Sequence, residues 1–153
     1  MPLQMDLRIE DKNWRTLNDL EALCQRALDA GFAGNTGEGL VDVLLTDDAH
    51  MKELNTQWRA KPKPTDVLSF PADTNPEGFL GDIAIGYGIA RNDAETSGKT
   101  LSNHLSHLLI HGLLHLLGHD HIQDSDAEIM ENLERKALAS LGIDDPYSRI
   151  AEN

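Results

Sequence analysis

The sequence predicts an α+β domain: one mixed sheet of about four strands packed with about five helices, one of them long and central. Three observations carry this. Apolar patterns of period two and period 3.6 are interleaved along the chain, and two helical patterns close it. The 153 residues suit a single domain over 1–153, since no linker, repeat or low-complexity run divides them. The longest helical pattern, from about Leu101 to Leu117, is apolar nearly all round, as a buried helix is.

Leu3, Met5, Leu7 and Ile9 alternate with polar residues and predict a first strand. Thr16 is expected to cap a helix, with Asp19 three residues on. Leu17, Leu20, Leu23, Cys24, Ala27 and Leu28 then follow helical spacing, and Gly31 is the expected stop. GFAGNTGEG leads into a second strand, LVDVLL. Asp47 or Asp48 starts a helix whose Met51, Leu54 and Trp58 share a face, and Pro62 and Pro64 force its end near Ala60. DVLSF and FLGDIAI read as two short strands joined by the turn-rich PADTNPEG. After the long helix, Ser125 or Asp126 opens a last one that ends before Gly142, with Ile129, Met130, Leu133, Ala137, Leu138 and Leu141 on its buried side. Residues 144–153 read as a loose tail.

Composition narrows the classes. A formal net charge of −13 disfavours general nucleic-acid binding unless the few cations are concentrated in one place, and no DNA partner is expected. The single cysteine, Cys24, excludes an internal disulfide and sits among leucines as a small buried hydrophobe. No basic-then-apolar leader and no run of ~18 apolar residues is present, so the expected location is cytoplasmic with no membrane partner.

Six of the seven histidines fall in HLSHLLIHGLLHLLGHDH, residues 104 to 121. At about 100° per residue, His104, His107, His111 and His115 share one narrow sector of the helix. His111 and His115, at i and i+4, can grip one ion at ~2.0–2.1 Å per nitrogen. Gly118 can end the helix in a left-handed conformation and return His121 to the same ion. Three neutral imidazoles at this spacing suit one zinc per chain, at the end of the long helix, with a fourth position left for water. His104 and His107 are then expected to line the cleft, and His119 to be exposed. The spacing matches the protease pattern HExxHxxGxxH, except that Gly112 replaces the glutamate that takes the water's proton. A zinc metalloprotease is therefore the runner-up.

HGLLHLLGHDH also resembles the signature of the YbeY family, bacterial endoribonucleases that mature ribosomal RNA, and matches each of its fixed positions. LNTQWRAKPKPTDVLSFP at 54–71 and GDIAI at 81–85 look like two further blocks of that family, in the same order. The resemblance implies a zinc on His111, His115 and His121 and an essential arginine at Arg59. It implies a zinc-dependent, single-strand-specific endoribonuclease acting in 16S rRNA 3′-end maturation and ribosome quality control. Ribosomal RNA, with ribosomal proteins or assembly GTPases, would be the partners.

The residues add a physical reason. Asn55 to Thr65 carries Arg59, Lys61 and Lys63 with no acid, the one dense positive cluster in an acidic chain, and so the expected phosphate contact. Asp120 is expected to cap the turn after the long helix or to orient a ligand histidine. Asp82 is expected to support the site or to end a tight turn. A third class, an assembly factor with structural zinc, is disfavoured because structural zinc usually has four protein ligands and only three are evident.

Overall fold

The computed structural model describes residues 3–35, 37–72, 78–120 and 122–147. The alternating run forms β1 (Leu3–Ile9), followed by a 3₁₀ turn at Lys12–Thr16 and then α1 (Leu20–Phe32). Next come β2 (Gly39–Thr46), α2 (Asp48–Arg59), β3 (Val67–Pro71), β4 (Phe79–Gly86), α3 (Tyr87–Thr96), α4 (Leu101–Leu116) and α5 (Asp124–Ser140). The sheet order is β1-β2-β4-β3, with β1, β2 and β4 parallel and β3 antiparallel to β4. This is the expected mixed four-stranded sheet with five α-helices.

Residues of one pleat face, Leu3, Val41, Val43, Leu45, Ile83 and Ile85, join α1, α4 and α5 in the main core. On the opposite face a smaller cluster gathers Met51, Leu68 and Ala84, with Leu54 and Phe70 against it, beneath α2. Asp47 caps α2 by accepting from His50 N at 2.8 Å, and Thr100 caps α4 by accepting from Asn103 N at 3.1 Å.

Some boundaries depart from the expectation. Thr16 closes the 3₁₀ turn, its hydroxyl donating to Asn13 O at 2.9 Å, so α1 starts only at Leu20. Gly31 does not stop α1. It lies inside the helix, where an added Cβ would come 3.2 Å from Leu113 Cδ2, so it lets α1 and α4 approach closely. No pattern assigned an element to 87–96; α3 buries only Ala90 and Ala94, too small a stripe to register. Ile129 is 54 % exposed, not buried. Gly118 behaves as expected, with φ +101°. Its N–H donates to His115 O and that of His119 to Leu114 O, both at 3.0 Å, the paired bonds that terminate a helix through a left-handed residue.

Gly112 faces the sheet. A Cβ there would stand 3.0 Å from Ile83 Cγ2 and 3.1 Å from Ser69 Oγ, and Ser69 Oγ donates to Gly112 O at 3.2 Å. A glutamate in this position would be driven into β3 and β4, away from the histidine face. Overpacking of this kind costs roughly 1–3 kcal/mol, against ~1 kcal/mol gained in helix propensity. Gly112→Ala is therefore expected to lower Tm or leave it level, and Gly112→Glu to lower it much further. A rise in Tm for Gly112→Ala, the usual result inside a helix, would show that the helix–sheet gap is slack. Burial, with the charge of Glu21 adding to it, pushes the Cys24 thiol up to about 12. Alkylation of Cys24 at neutral pH is expected only at the rate of unfolding; rapid labelling of the native chain would contradict its burial.

Candidate metal centre and basic loop

α4 has two sides. Leu105, Leu109, Leu113 and Ile110 are buried in the main core, while His104, His107, His111 and His115 form the stripe expected from their spacing. Across from it α5 presents Glu134, which is 1 % exposed. One of its oxygens, Oε1, lies 2.7 Å from His107 Nε2 and 3.1 Å from His111 Nδ1; the other, Oε2, accepts from the Tyr147 hydroxyl at 2.9 Å. Burial alone would raise this carboxyl. The hydrogen bonds from His107 and His111, and their charge, outweigh it and hold the group down to about 2. Tyr147 is pushed well above its ordinary range, first by burial and then by the charge of Glu134.

The carboxylate decides a tautomer. It can only accept, so Nδ1 of His111 carries a proton, and in the neutral ring Nε2 presents its lone pair. His115 is fixed in the same sense, since its Nδ1 donates to the carbonyl of His119 at 3.0 Å. The two Nε2 atoms stand 3.1 Å apart, with the rings at 80° to each other. Two nitrogens on one tetrahedral zinc, each ~2.0–2.1 Å away, stand roughly 3.3 Å apart. A cation shared by two such neutral rings would be held by both lone pairs at once. The pair therefore fits a shared metal ion, and each ring has the outer hydrogen bond that orients a metal-binding histidine.

His121, the third expected ligand, lies outside the described residues. His119 is half-buried and serves through its carbonyl. Asp120 caps the turn, accepting from Ile122 N at 3.2 Å. The segment expected to be loose begins with anchored residues: Asp145 pairs with Arg135 at 3.0 Å, and Tyr147 holds Glu134. Sequence reasoning missed Glu134 and Tyr147. The available signal was an acid within the buried stripe of α5, between Leu133 and Ala137. A second group, Asp66, Asp93 and His104, has ligand atoms within 4.8 Å of one another and could also hold a metal ion.

Arg59 ends α2 and is exposed, as are Lys61 and Lys63 in the loop beyond it. No ion pair among the described residues engages any of the three. The loop is folded back on α2: Ala60 takes a left-handed conformation with φ +55°, Lys61 N donates to Asn55 O, and buried Asn55 donates through Nδ2 to Lys63 O at 3.0 Å. Arg59 also borders a cleft of about 700 Å³ on the α2 face of the sheet, together with Trp58 and Phe70. Asp6, Asp42 and Asp82 stand side by side across its floor, in register on β1, β2 and β4. Asp82 thus neither ends a turn nor touches the histidines. Burial first, then the neighbouring acid, raises both Asp42 and Asp82. None of the described histidines lines this cleft, so the structure does not bring Arg59 and the stripe into one pocket.

Comparison with known proteins agrees with this architecture. The family model described as Endoribonuclease YbeY matches residues 6–142. The protein named Endoribonuclease YbeY from Rhodopseudomonas palustris strain BisB18 is 47% identical over 146 residues, covering 88% of this chain and 86% of its own. Its namesake from Azorhizobium caulinodans is 44% identical over 158 residues, covering 98% and 99%. The solution structure of TM1509 from Thermotoga maritima superposes with a TM-score of 0.57 at 26% identity, covering 95% of this chain and all of that one. The family model and the relatives agree over most of the sequence, and the chain belongs to the YbeY endoribonuclease family.

Proposed function

We propose that this chain is a zinc-dependent, single-strand-specific endoribonuclease that holds one zinc on His111, His115 and His121 and acts in 3′-end maturation of 16S rRNA and in ribosome quality control. The observation that carries the metal is the approach of two Nε2 atoms to 3.1 Å while both Nδ1 atoms are committed elsewhere. Family membership supports the RNA substrate, since the relatives are named as endoribonucleases. Zinc bound there would supply Lewis acidity and a water whose pKa is lowered to ~7.

The protein's own residues do the rest. Glu134 fixes the His111 ring and strengthens it as a ligand. Tyr147 donates to the other oxygen of Glu134 and holds that carboxylate in place. Arg59, Lys61 and Lys63 form an exposed cationic strip for backbone phosphates, and Asn55 keeps it folded. Arg59, with a planar fork suited to two phosphate oxygens, is the catalytic residue of this reading. Ribosomal proteins or assembly GTPases would deliver the RNA to a chain otherwise too acidic to hold it, in the cytoplasm. Among the described residues no helix is long and apolar enough to cross a membrane.

The protease alternative loses support from Gly112, whose side-chain direction is toward β3 and β4. Incubating zinc-loaded and chelated protein with precursor ribosomal RNA and with casein separates the classes. Zinc-dependent RNA cleavage is expected. Zinc-dependent casein digestion would reinstate the protease, and no cleavage of either would favour an assembly factor.

Two sets of variants test the parts. His111→Ala, His115→Ala and His121→Ala should each lose most of the zinc, whereas Glu134→Gln should weaken zinc by roughly 10–100-fold in chelator competition. Unchanged competition in Glu134→Gln would mean that the carboxylate does not position His111. Arg59→Ala should leave zinc content and Tm intact and cut RNA cleavage by roughly 10²-fold, with Arg59→Lys rescuing in part. Lys61→Ala and Lys63→Ala should act on binding, by an amount that shrinks as salt rises. A normal cleavage rate with a lowered Tm for Arg59→Ala would instead assign Arg59 to the carbonyl end of α2.

A further inference from the structure

His104 begins the stripe but does not take part in the Glu134 network. It is 8 % exposed, and neither of its ring nitrogens has a hydrogen-bond partner among the described residues. A buried neutral imidazole with both its donor and its acceptor unsatisfied is costly, and rare in folded proteins. The ring is not isolated from polar groups, however. A ligand nitrogen of His104 and carboxylate oxygens of Asp66 and Asp93 all lie within 4.8 Å of one another. The ring bonds neither carboxylate directly, yet lies near enough to share an ion with them.

The three residues come from three elements. Asp66 precedes β3 and is locked there, its carbonyl accepting from Gly86 N at 3.0 Å and its Oδ1 from Val67 N at 2.7 Å. Asp93 lies on α3 and His104 on α4, two helices in mutual contact. Neither carboxylate has an ion pair among the described residues. We infer that Asp66, Asp93 and His104 form a second divalent-cation site, separate from the His111/His115 pair, which pins the base of the basic loop to α3 and α4.

The donor set decides the class of ion. Two carboxylates and one imidazole mix hard and borderline donors, which suits Mn²⁺ better than a thiolate-seeking metal. Both aspartates are half-buried, so water can complete the coordination. The protonation states are compatible. Burial, and after it the charge of His107, lowers His104 and favours the neutral, ligating ring, though Asp66 opposes this and Lys99 adds to it. Burial, then the charge of Asp66 and a hydrogen bond with it, raises Asp93, and a cation between the two carboxylates would take the place of the shared proton.

Spacing decides the role. Seven residues separate His104 from His111, roughly 10 Å along the helix axis. Paired catalytic metals stand ~3.5–4 Å apart, so this ion is not the second metal of an in-line displacement. It lies instead at the chain's exit from the basic loop, since Asp66 follows Lys63 by three residues.

The site is tested without reference to RNA cleavage. Zinc-loaded protein is titrated with Mn²⁺ and followed by electron paramagnetic resonance. One Mn²⁺ per chain should bind beyond the zinc, with a nitrogen coupling from a single imidazole. His104→Gln should remove that coupling and weaken binding by at least about tenfold, as loss of one of few ligands does. Asp93→Asn, on a half-buried surface of α3, should weaken binding similarly and serves if His104→Gln fails to fold. In the wild type Mn²⁺ should also slow amide exchange over 60–66, and in Asp93→Asn it should not. No Mn²⁺ bound at millimolar concentration, or equal binding in all three proteins, would overturn the site and leave the zinc reading untouched. So would a nitrogen coupling that survives His104→Gln. Binding without slowed exchange would overturn the pinning role.

Discussion

Glu134 carries a negative charge at 1 % exposure between two helices whose other contacts are mostly leucine and alanine. An isolated carboxylate in that place would cost several kcal/mol and would take up a proton instead. It stays ionised because three donors surround it: His107, His111 and the Tyr147 hydroxyl. The dependence is mutual. Without the carboxylate, His111 would have no reason to keep its proton on Nδ1, and the facing nitrogens of His111 and His115 would not both present lone pairs. One buried charge therefore joins the packing of α5 on α4 to the chemistry of the stripe. It also explains why the chain beyond α5 returns to the site, with Arg135–Asp145 holding the turn that delivers Tyr147.

α4 can afford such a polar face because its other side is packed unusually closely. Gly31 on α1 and Gly112 on α4 each remove a side chain at a point of contact, the first beneath Leu113 and the second beneath Ile83 and Ser69. The two glycines act on opposite partners, helix and sheet, so α4 is held from both directions and its histidine face cannot rotate. Gly112 has a second consequence. The residue after His111 points into the sheet, so the position occupied by a catalytic base in the similar protease pattern is here a packing position. The contact made by one neighbouring residue thus separates this chain from the protease pattern that its histidine spacing matches.

Much of this was legible because it is periodic. The four strands alternate or run apolar between turn residues, and the histidines recur at helical steps; both patterns are local in sequence. The helix-ending role of Gly118 was legible for the same reason. What escaped is what depends on contacts distant in the chain. Glu134 lies 23 residues from His111, and nothing in the local pattern of α5 says that its acid faces imidazoles rather than water. Ile129 looked buried because it fits the apolar stripe, yet α5 turns that position outward. α3 buries two alanines, which no hydrophobic pattern distinguishes from a loop. Asp66 and Asp93 lie 27 residues apart on separate elements, and only the fold brings them to His104.

Electrostatics then favours one route for an RNA chain over another. The α2 face of the sheet is concave and partly aromatic, with Trp58 63 % exposed and its ring edge-on to Phe70. Shape alone would make it the binding cleft. Its floor, however, holds three aspartates in register beside Arg8, where after burial the charge of Asp6 raises Asp42 and that of Asp42 raises Asp82. Phosphates entering it would add like charge to like, at distances well within a Debye length of ~8 Å. Arg59 stands at the border of that cleft, whereas Lys61 and Lys63 do not line it. On the proposed reading, a phosphate backbone would gain most along the exposed loop and lose by descending onto the sheet. With a formal charge of −13 over the whole chain, the same balance would disfavour RNA elsewhere on the surface. The acidic floor and the basic loop together would confine such a substrate to a narrow strip, which an evenly basic surface would not do.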